Sequence, residues 1–282
     1  MQFTVPTLSI LFMVIVAAAG VAIPIIMFFV FRKKFKADIL PFFIGCAVFV
    51  VFALLIEGSI NVFIFSTNAG KAIQGNIWYY GIFGGLMAGI FEETGRFTAF
   101  KTVLKKRLDN DGNALMYGAG HGGFEAFYIL VFSMVSYITM AVMLNNGMID
   151  KLTAGITDPV TLQILYAKFA GLSTTAPPVF LMAIVERIAA VALHLSCSVL
   201  VWFAAKKGGK LLLFYPLAIL IHALIDAVAV ILANYTGNVW IVESAVYVVA
   251  ACSVVIAIAV WKKYASQKAA AAEIKTSSEA VS

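Results

Sequence analysis

Phe91-Glu92-Glu93-Thr94-Gly95-Arg96 places two carboxylates and a guanidinium inside a run, from about residue 78 to residue 100, that otherwise has the composition of a membrane helix. A charge near the centre of a bilayer costs at least ~2.5–3.5 kcal/mol, so it is retained where it pairs or does chemistry. Glu92 and Arg96 are four residues apart, so they stack on one helix face and can pair. Glu93 is rotated by roughly 100° and is expected to point elsewhere. The stretch predicts a polar layer inside a helical membrane protein.

The composition of the whole chain is that of a polytopic membrane protein. Of its 282 residues, 62% are hydrophobic and 12% are charged, which is about half the charged fraction of soluble domains. Each transmembrane helix needs roughly 20 apolar residues. Seven runs meet that need: 5–31, 39–65, 77–100, 117–144, 178–204, 211–234 and 239–261. We expect an all-α bundle of about seven transmembrane helices. Residues 1–265 would form a single domain, followed by a disordered cytoplasmic tail over residues 266–282.

Basic residues are concentrated in alternate loops. Fifteen of them follow the first, third, fifth and seventh apolar runs, whereas the opposite loops contain only Lys71, Lys151 and Lys168. Because cytoplasmic loops of membrane proteins carry the excess of lysine and arginine, the N-terminus is expected outside and the C-terminus in the cytoplasm. The net charge of +6 therefore reflects topology, and no nucleic-acid partner is expected. In the longest outer loop, residues 160–172 have the apolar spacing of an interfacial helix.

Three further polar motifs lie in the later apolar runs and contain all three histidines of the chain. They are His121 with Glu125, Glu186-Arg187 with His194, and His222 with Asp226. In the first and last motif the carboxylate follows the histidine by one helical turn, on the same face. A single membrane histidine is usually a packing residue, whereas three histidines on spans with acidic residues indicate a function. Glu57 and Glu243 belong to no motif and are given no role.

The predicted topology arranges these groups by depth. A layer between the bilayer centre and the cytoplasmic surface would contain Glu92, Glu93, His121, His194 and His222. Glu186, Arg187 and Asp226 would lie in the outer half of the membrane. We therefore expect a site that opens inward, below a layer of ion pairs in which Arg187 neutralises Glu57, Glu186 or Asp226.

Carboxylates and imidazoles in a wetted cavity inside the membrane can activate water, with or without zinc. A carboxylate can serve as general base, and histidines can stabilise an oxyanion, relay protons or bind a metal. The sequence contains neither a His-Glu-x-x-His helix nor a Gly-x-Ser-x-Gly elbow, which argues against a zincin or serine-hydrolase mechanism. Three functional classes stay open. They are an endopeptidase, a transporter that uses the same groups for protons or metal ions, and a non-catalytic membrane scaffold.

The order of the motifs resembles that of glutamic intramembrane proteases, which include CAAX prenyl endopeptidases, bacteriocin-processing enzymes and PrsW-like proteins. The fuller pattern resembles the bacterial YhfC family of intramembrane proteases. That pattern is Glu-Glu-x-Gly-Arg, Gly-His-Gly-Gly-x-Glu, Glu-Arg followed by His, and His-Ala-x-x-Asp, and it covers most of the chain. The resemblance implies an endopeptidase of the bacterial plasma membrane that cleaves a membrane protein or lipid-anchored peptide near the cytoplasmic face. In the broader group an asparagine is usual where this sequence has Asp226.

The resemblance also implies roles for the motif residues. Glu92 or Glu93 would be the base, with His121, His194 and His222 around the water and the oxyanion. Arg96 would orient the carboxylates, and the supporting residues would be Glu125, Asp226, Glu186 and Arg187. Similarity to glutamic proteases favours metal-free chemistry, so no cofactor is favoured. The third histidine favours the alternative, a zinc ion bound by His121, His194 and His222, since zinc takes three or four ligands.

Overall fold

The computed structural model describes residues 3–265 and shows an all-helical protein, with no strand in that part of the chain. The α-helices are α1 (Thr7–Lys34), α2 (Leu40–Val48), α3 (Gly58–Ser66), α4 (Asn68–Gln74), α5 (Ile77–Lys101), α6 (Gly112–Asn145), α7 (Ile149–Thr153), α8 (Pro159–Thr174), α9 (Met182–Lys207), α10 (Phe214–Thr236) and α11 (Val239–Tyr264). A π-helical segment, Phe49–Glu57, joins α2 to α3. The all-α prediction is confirmed. The predicted tail, residues 266–282, lies outside the described residues.

Six helical stretches within the described residues are long and apolar enough to cross a membrane. They are Thr7–Lys34, Leu40–Ser66, Gly112–Asn145, Pro177–Lys207, Gly209–Thr236 and Val239–Tyr264. The third predicted span is present as the 25-residue helix α5. It is less apolar than the six because Glu92, Glu93 and Arg96 lie in its second half. The segment predicted as an interfacial helix is the helix α8.

Helix α9 lies at the centre of the bundle. In its most apolar stretch 78% of the residues are buried, compared with at most 28% in each of the other five apolar spans. It packs against α5, α6, α10 and α11, and α5 packs mainly against α10. The polar groups on α5, α6 and α10 therefore all face the same central helix.

Two glycines allow the close helix approach that the polar layer requires. A Cβ atom at Gly85 of α5 would lie 2.3 Å from the carbonyl oxygen of Ala223 on α10. A Cβ atom at Gly122 of α6 would lie 2.8 Å from the Cβ of His194 on α9. Small residues at crossing points let helix backbones approach within the membrane. These contacts bring α5 beside the histidine of α10, and α6 beside the histidine of α9.

The two ends of the bundle differ in charge. The C-terminal ends of α1, α5, α9 and α11 meet at one end, which we call the basic end (residues 32–36, 101–107, 206–210 and 262–263). There Lys206 Nζ lies 2.6 Å from Asp111 Oδ1. At the opposite end Trp78 donates a hydrogen bond to Tyr235 at 2.8 Å. The clustering of basic residues fits the predicted sidedness, and the orientation of the chain in a membrane stays a prediction.

Candidate active site

The five side chains predicted to be catalytic lie together in the interior of the bundle. Helix α5 contributes Glu92 and Glu93, and α6, α9 and α10 contribute one histidine each. All five are buried. The ring centroids of His121 and His194 are 4.9 Å apart, and those of His194 and His222 are 5.1 Å apart. The structure brings together the groups that the sequence predicted to converge.

Glu92 lies at the centre of the three histidines. Its Oε2 lies 2.8 Å from His121 Nε2. The same oxygen is 3.9 Å from His194 Nδ1 and 4.0 Å from His222 Nε2. Because a carboxylate only accepts hydrogen bonds, His121 donates from Nε2 to Glu92. His121 Nδ1 is buried and has no hydrogen-bond partner within residues 3–265.

Glu93 is occupied by two other partners. One of its oxygens forms an ion pair with Arg96, and the other accepts a hydrogen bond from His222 Nδ1 at 2.9 Å. The predicted pairing of Arg96 with Glu92 is therefore wrong. Spacings of three and four residues both place helical side chains side by side, and here Glu93 is the one turned towards the fully buried guanidinium. Arg96 also lies over the ring of Tyr117, 5.8 Å from its centroid.

The hydrogen bonds define which ring nitrogen of two histidines carries a lone pair. Arg96 Nη2 lies 3.2 Å from His194 Nδ1, and a guanidinium can only donate, so this nitrogen accepts. The proton of His194 is then on Nε2, which contacts a carboxylate oxygen of Glu125. His222 donates a hydrogen bond from Nδ1 to Glu93, and its Nε2 is the nitrogen nearer to Glu92. In each of these two rings, one nitrogen contacts a supporting carboxylate and the other faces the centre of the histidine cluster.

Glu92, His194 and His222 form a group that could hold a metal ion. One ligand atom from each residue can be chosen so that all three lie within 4.8 Å of one another. Two histidines and one carboxylate are a ligand set of catalytic zinc sites, and a carboxylate on the second ring nitrogen commonly orients such histidines. In this structure Arg96 occupies His194 Nδ1, so this nitrogen would bind a metal only in place of that hydrogen bond. The residues present therefore fit zinc, with Glu92 in the place that His121 was predicted to take.

The ion pairs beyond the histidines differ in part from the prediction. Arg187 contacts Glu186 at 2.5 Å, as one of the predicted alternatives, and it also contacts Glu125 at 2.6 Å. Glu57 is not its partner, because this residue lies on the π-helical segment and accepts a hydrogen bond from Asn61. The sequence did not pair Glu125 with Arg187 because only the crossing of α6 over α9 brings them together.

A cavity of about 520 Å³ leads from the cluster towards the end of the bundle opposite the basic end. Glu92, His194 and His222 line its inner part, and Arg187, Glu243 and residues 237–239 line its outer part. The cavity therefore opens at the end opposite the one on which the predicted topology placed it, and which of the two ends faces the cytoplasm stays a prediction. The basic side of the cluster is filled instead by an aromatic plug, which we define as Phe100, Tyr117 and Trp202, with ring centroids 4.7–5.0 Å apart.

Sequence reasoning missed two residues that bear on the site. Tyr117 precedes His121 by one helical turn, so its spacing could have placed it on the same face. Glu243 lines the cavity although it belongs to no motif, and no spacing signal pointed to it.

Comparison with known proteins agrees with the motif order. Residues 19–247 match the family described as YhfC intramembrane metalloprotease. The chain is 36% identical over 225 residues to the uncharacterized membrane protein YhfC of Bacillus subtilis (strain 168), with 79% of this chain and 84% of that protein covered. No solved structure matches. The apolar helices and this relative show a bacterial multi-pass integral membrane protein. The chain belongs to the YhfC intramembrane metalloprotease family.

Proposed function

We propose that this protein is a zinc-dependent intramembrane endopeptidase whose metal is held by Glu92, His194 and His222. The observation that carries the proposal is the meeting of these three buried side chains, from three helices, at the inner end of a cavity. The family's description as metalloproteases supports it. Zinc in such a site polarises the scissile carbonyl and makes water a stronger acid.

The surrounding residues hold the three ligands in position. His121 donates a hydrogen bond to the Glu92 carboxylate, and Glu93 accepts one from His222. Glu125 contacts the far nitrogen of His194 and is itself paired with Arg187. Outer-shell partners of this kind fix the tautomer and the ring orientation of ligating histidines.

Asp226 is the carboxylate that we assign as general base. Its Oδ2 lies 3.5 Å from His222 Nε2, and 42% of its side chain is exposed, in the wall of the cavity. It can accept a proton from a water molecule in the cavity and pass it to the leaving amine. Glu93 is unsuitable because it is fully buried and both of its oxygens are engaged. Glu92 would act as a ligand rather than as the base that similarity to glutamic proteases implied.

The position of the cavity supports a membrane-associated protein as the substrate. The cavity lies among helices that can cross a membrane, and apolar side chains such as Leu193, Ile225 and Val246 form much of its wall. It opens away from the basic end, which the positive-inside rule assigns to the cytoplasm. We therefore propose that the substrate reaches the site from the outer leaflet, not from the cytoplasmic face.

The test uses the purified full-length protein in lipid nanodiscs. We expect one zinc ion per chain by elemental analysis, and cleavage of a hydrophobic peptide library, read by mass spectrometry, that a chelator stops and zinc restores. In Glu92→Gln both the zinc and the cleavage should be lost, because the residue is a ligand. Retention of zinc with loss of cleavage would make Glu92 the base instead. Cleavage that persists without metal would overturn the zinc mechanism. Metal or proton flux in liposomes without any cleavage would replace the protease by a transporter.

A further inference from the structure

Glu243 is a buried carboxylate in the outer part of the cavity. It lies on the second turn of α11 and is only 9% exposed. Its Oε2 has no hydrogen-bond partner in the part of the chain that the structure describes. A buried charged or polar group without a partner is costly. A cationic group bound in the cavity would supply the missing partner.

Among the described residues no basic side chain forms an ion pair with Glu243. The guanidinium of Arg187 lines the same cavity, but its two terminal nitrogens are already bound to Glu125 and Glu186. Asp226 adds a further carboxylate to the wall. The cavity therefore has more negative than positive groups and attracts a cation.

The rest of the cavity wall indicates which kind of cation would bind. Around Glu243 the lining is apolar, with Val239, Val242 and Val246 from α11 and Val230 and Ala233 from α10. A small hydrated ion gains nothing from such a wall. Lysine and arginine side chains, in contrast, pack a long aliphatic stem against apolar surface and end in a charged group.

We propose that Glu243 binds the charged end of a lysine or arginine side chain of the substrate and thereby selects cleavage sites at a set distance from a basic residue. This role rests on the endopeptidase function proposed above. It adds a specificity determinant to the site, one outside all the motifs that the family resemblance uses.

The packing of α11 against α9 holds Glu243 at a fixed position relative to the histidine cluster. The hydroxyl of Tyr247, one turn after Glu243, donates a 2.6 Å hydrogen bond to the carbonyl of Val185 and so fixes α11 beside the start of α9. Val185 and His194 are nine residues apart on α9, which corresponds to roughly 14 Å along the helix. An extended peptide covers at most roughly 3.3–3.6 Å per residue. The basic residue should therefore lie several residues from the scissile bond, at a spacing that the packing of α11 against α9 keeps constant.

The first experiment measures binding without turnover. Full-length protein in nanodiscs, with a chelator present, is titrated against a fluorescein-labelled apolar peptide that carries one lysine, and against matched peptides with glutamine or glutamate in its place. We expect the lysine peptide to bind about tenfold more tightly than the glutamine peptide, as a desolvated charged hydrogen bond allows. Glu243→Gln should abolish this preference, and Glu243→Lys should reverse it in favour of the glutamate peptide.

A matched control separates the position from the charge. Glu57→Gln removes another membrane carboxylate, one that hydrogen-bonds Asn61 and does not line the cavity. It should leave the lysine preference unchanged. If Glu243→Gln fails to fold, Glu243→Asp takes its place in the comparison. This variant keeps the charge and should keep a preference for the lysine peptide. An equal preference in wild type, Glu243→Gln and Glu243→Lys would overturn the proposal.

The second experiment separates this proposal from the proposed function. With zinc present, the cleavage positions in a peptide library should lie at one fixed spacing from lysine or arginine, and they should lose this bias in Glu243→Gln. Cleavage by the wild type without any such bias would refute the role of Glu243 and leave the endopeptidase intact. Lysine-selective binding without any cleavage would support the binding role of Glu243 and refute the endopeptidase function.

Discussion

The two sides of the histidine cluster are built in different ways. Towards the basic end, the aromatic plug packs ring against ring and leaves α9 fully enclosed, with Trp202 and Phe203 completely buried. Towards the other end, α9, α10 and α11 separate around a cavity of about 520 Å³. A cluster that is sealed on one side and open on the other has a single direction of access. The open side is where carboxylates can meet water and substrate, and the sealed side is where charges are held for structure.

The two adjacent glutamates show this contrast within one helical turn. Glu93 belongs to the sealed side, because it pairs with the fully buried Arg96. Glu92 lines the cavity. Removing one partner of a buried ion pair leaves an uncompensated charge and costs roughly 3–5 kcal/mol. We expect Glu93→Gln to lower the free energy of unfolding by about that amount, measured by chemical unfolding in mixed micelles.

Glu92→Gln is the matched variant for that measurement. It should cost far less stability than Glu93→Gln while abolishing metal binding. If the two variants lose equal stability, the division of structural and functional roles between the glutamates is wrong.

Substitutions in the aromatic plug should give the next largest loss of unfolding free energy. Phe100 is completely buried against Tyr117 and Trp202, and replacing a buried phenylalanine by alanine costs about 3 kcal/mol or more. We expect Phe100→Ala to lose about 3 kcal/mol of unfolding free energy. Val242→Ala, in the cavity wall, should lose about 1 kcal/mol or less, since it borders empty space. Similar losses at both positions would mean that the two sides are packed equally.

Much of this architecture follows from the sequence. The apolar runs predict the helices, and the spacing of four residues between His121 and Glu125 places both on the face that meets α9. The partner of Arg96 could not be predicted from the sequence, because Glu92 and Glu93 are both within reach of it on the same helix. The end of the bundle towards which the cavity opens could not be predicted either, since it depends on how aromatic rings from α5, α6 and α9 fill the basic side of the cluster. The position of Glu243 depends on how α11 packs against α9, which no local pattern encodes.

The carboxylate behind His194 should have a smaller effect, on affinity. Glu125 contacts the ring nitrogen of His194 that faces away from Glu92. Loss of an outer-shell partner typically weakens metal affinity by about 10–100-fold. We expect such a decrease for Glu125→Gln, measured by competition with a zinc-binding dye, with the fold unchanged by circular dichroism. Unaltered zinc affinity would separate Glu125 from the metal site.

Access from one side can be tested by cysteine labelling, which measures exposure to water and not activity or stability. Ala233 lines the cavity, and Ala205 is buried near the basic end. In a background from which the exposed Cys252 has been removed, a membrane-impermeant maleimide added to intact cells should label Ala233→Cys and not Ala205→Cys. Labelling of Ala233→Cys only in inverted membrane vesicles would show that the cavity opens to the cytoplasm and that the predicted orientation is reversed.

The most direct test of the central claim is the zinc X-ray absorption spectrum of the purified full-length protein. We expect a zinc shell of two imidazole nitrogens and at least one carboxylate oxygen, from His194, His222 and Glu92. In His121→Ala the two imidazoles should remain, because His121 contacts the carboxylate of Glu92 and not the metal. A shell of three imidazoles that falls to two in His121→Ala would contradict the account, as would a purified, active protein without zinc.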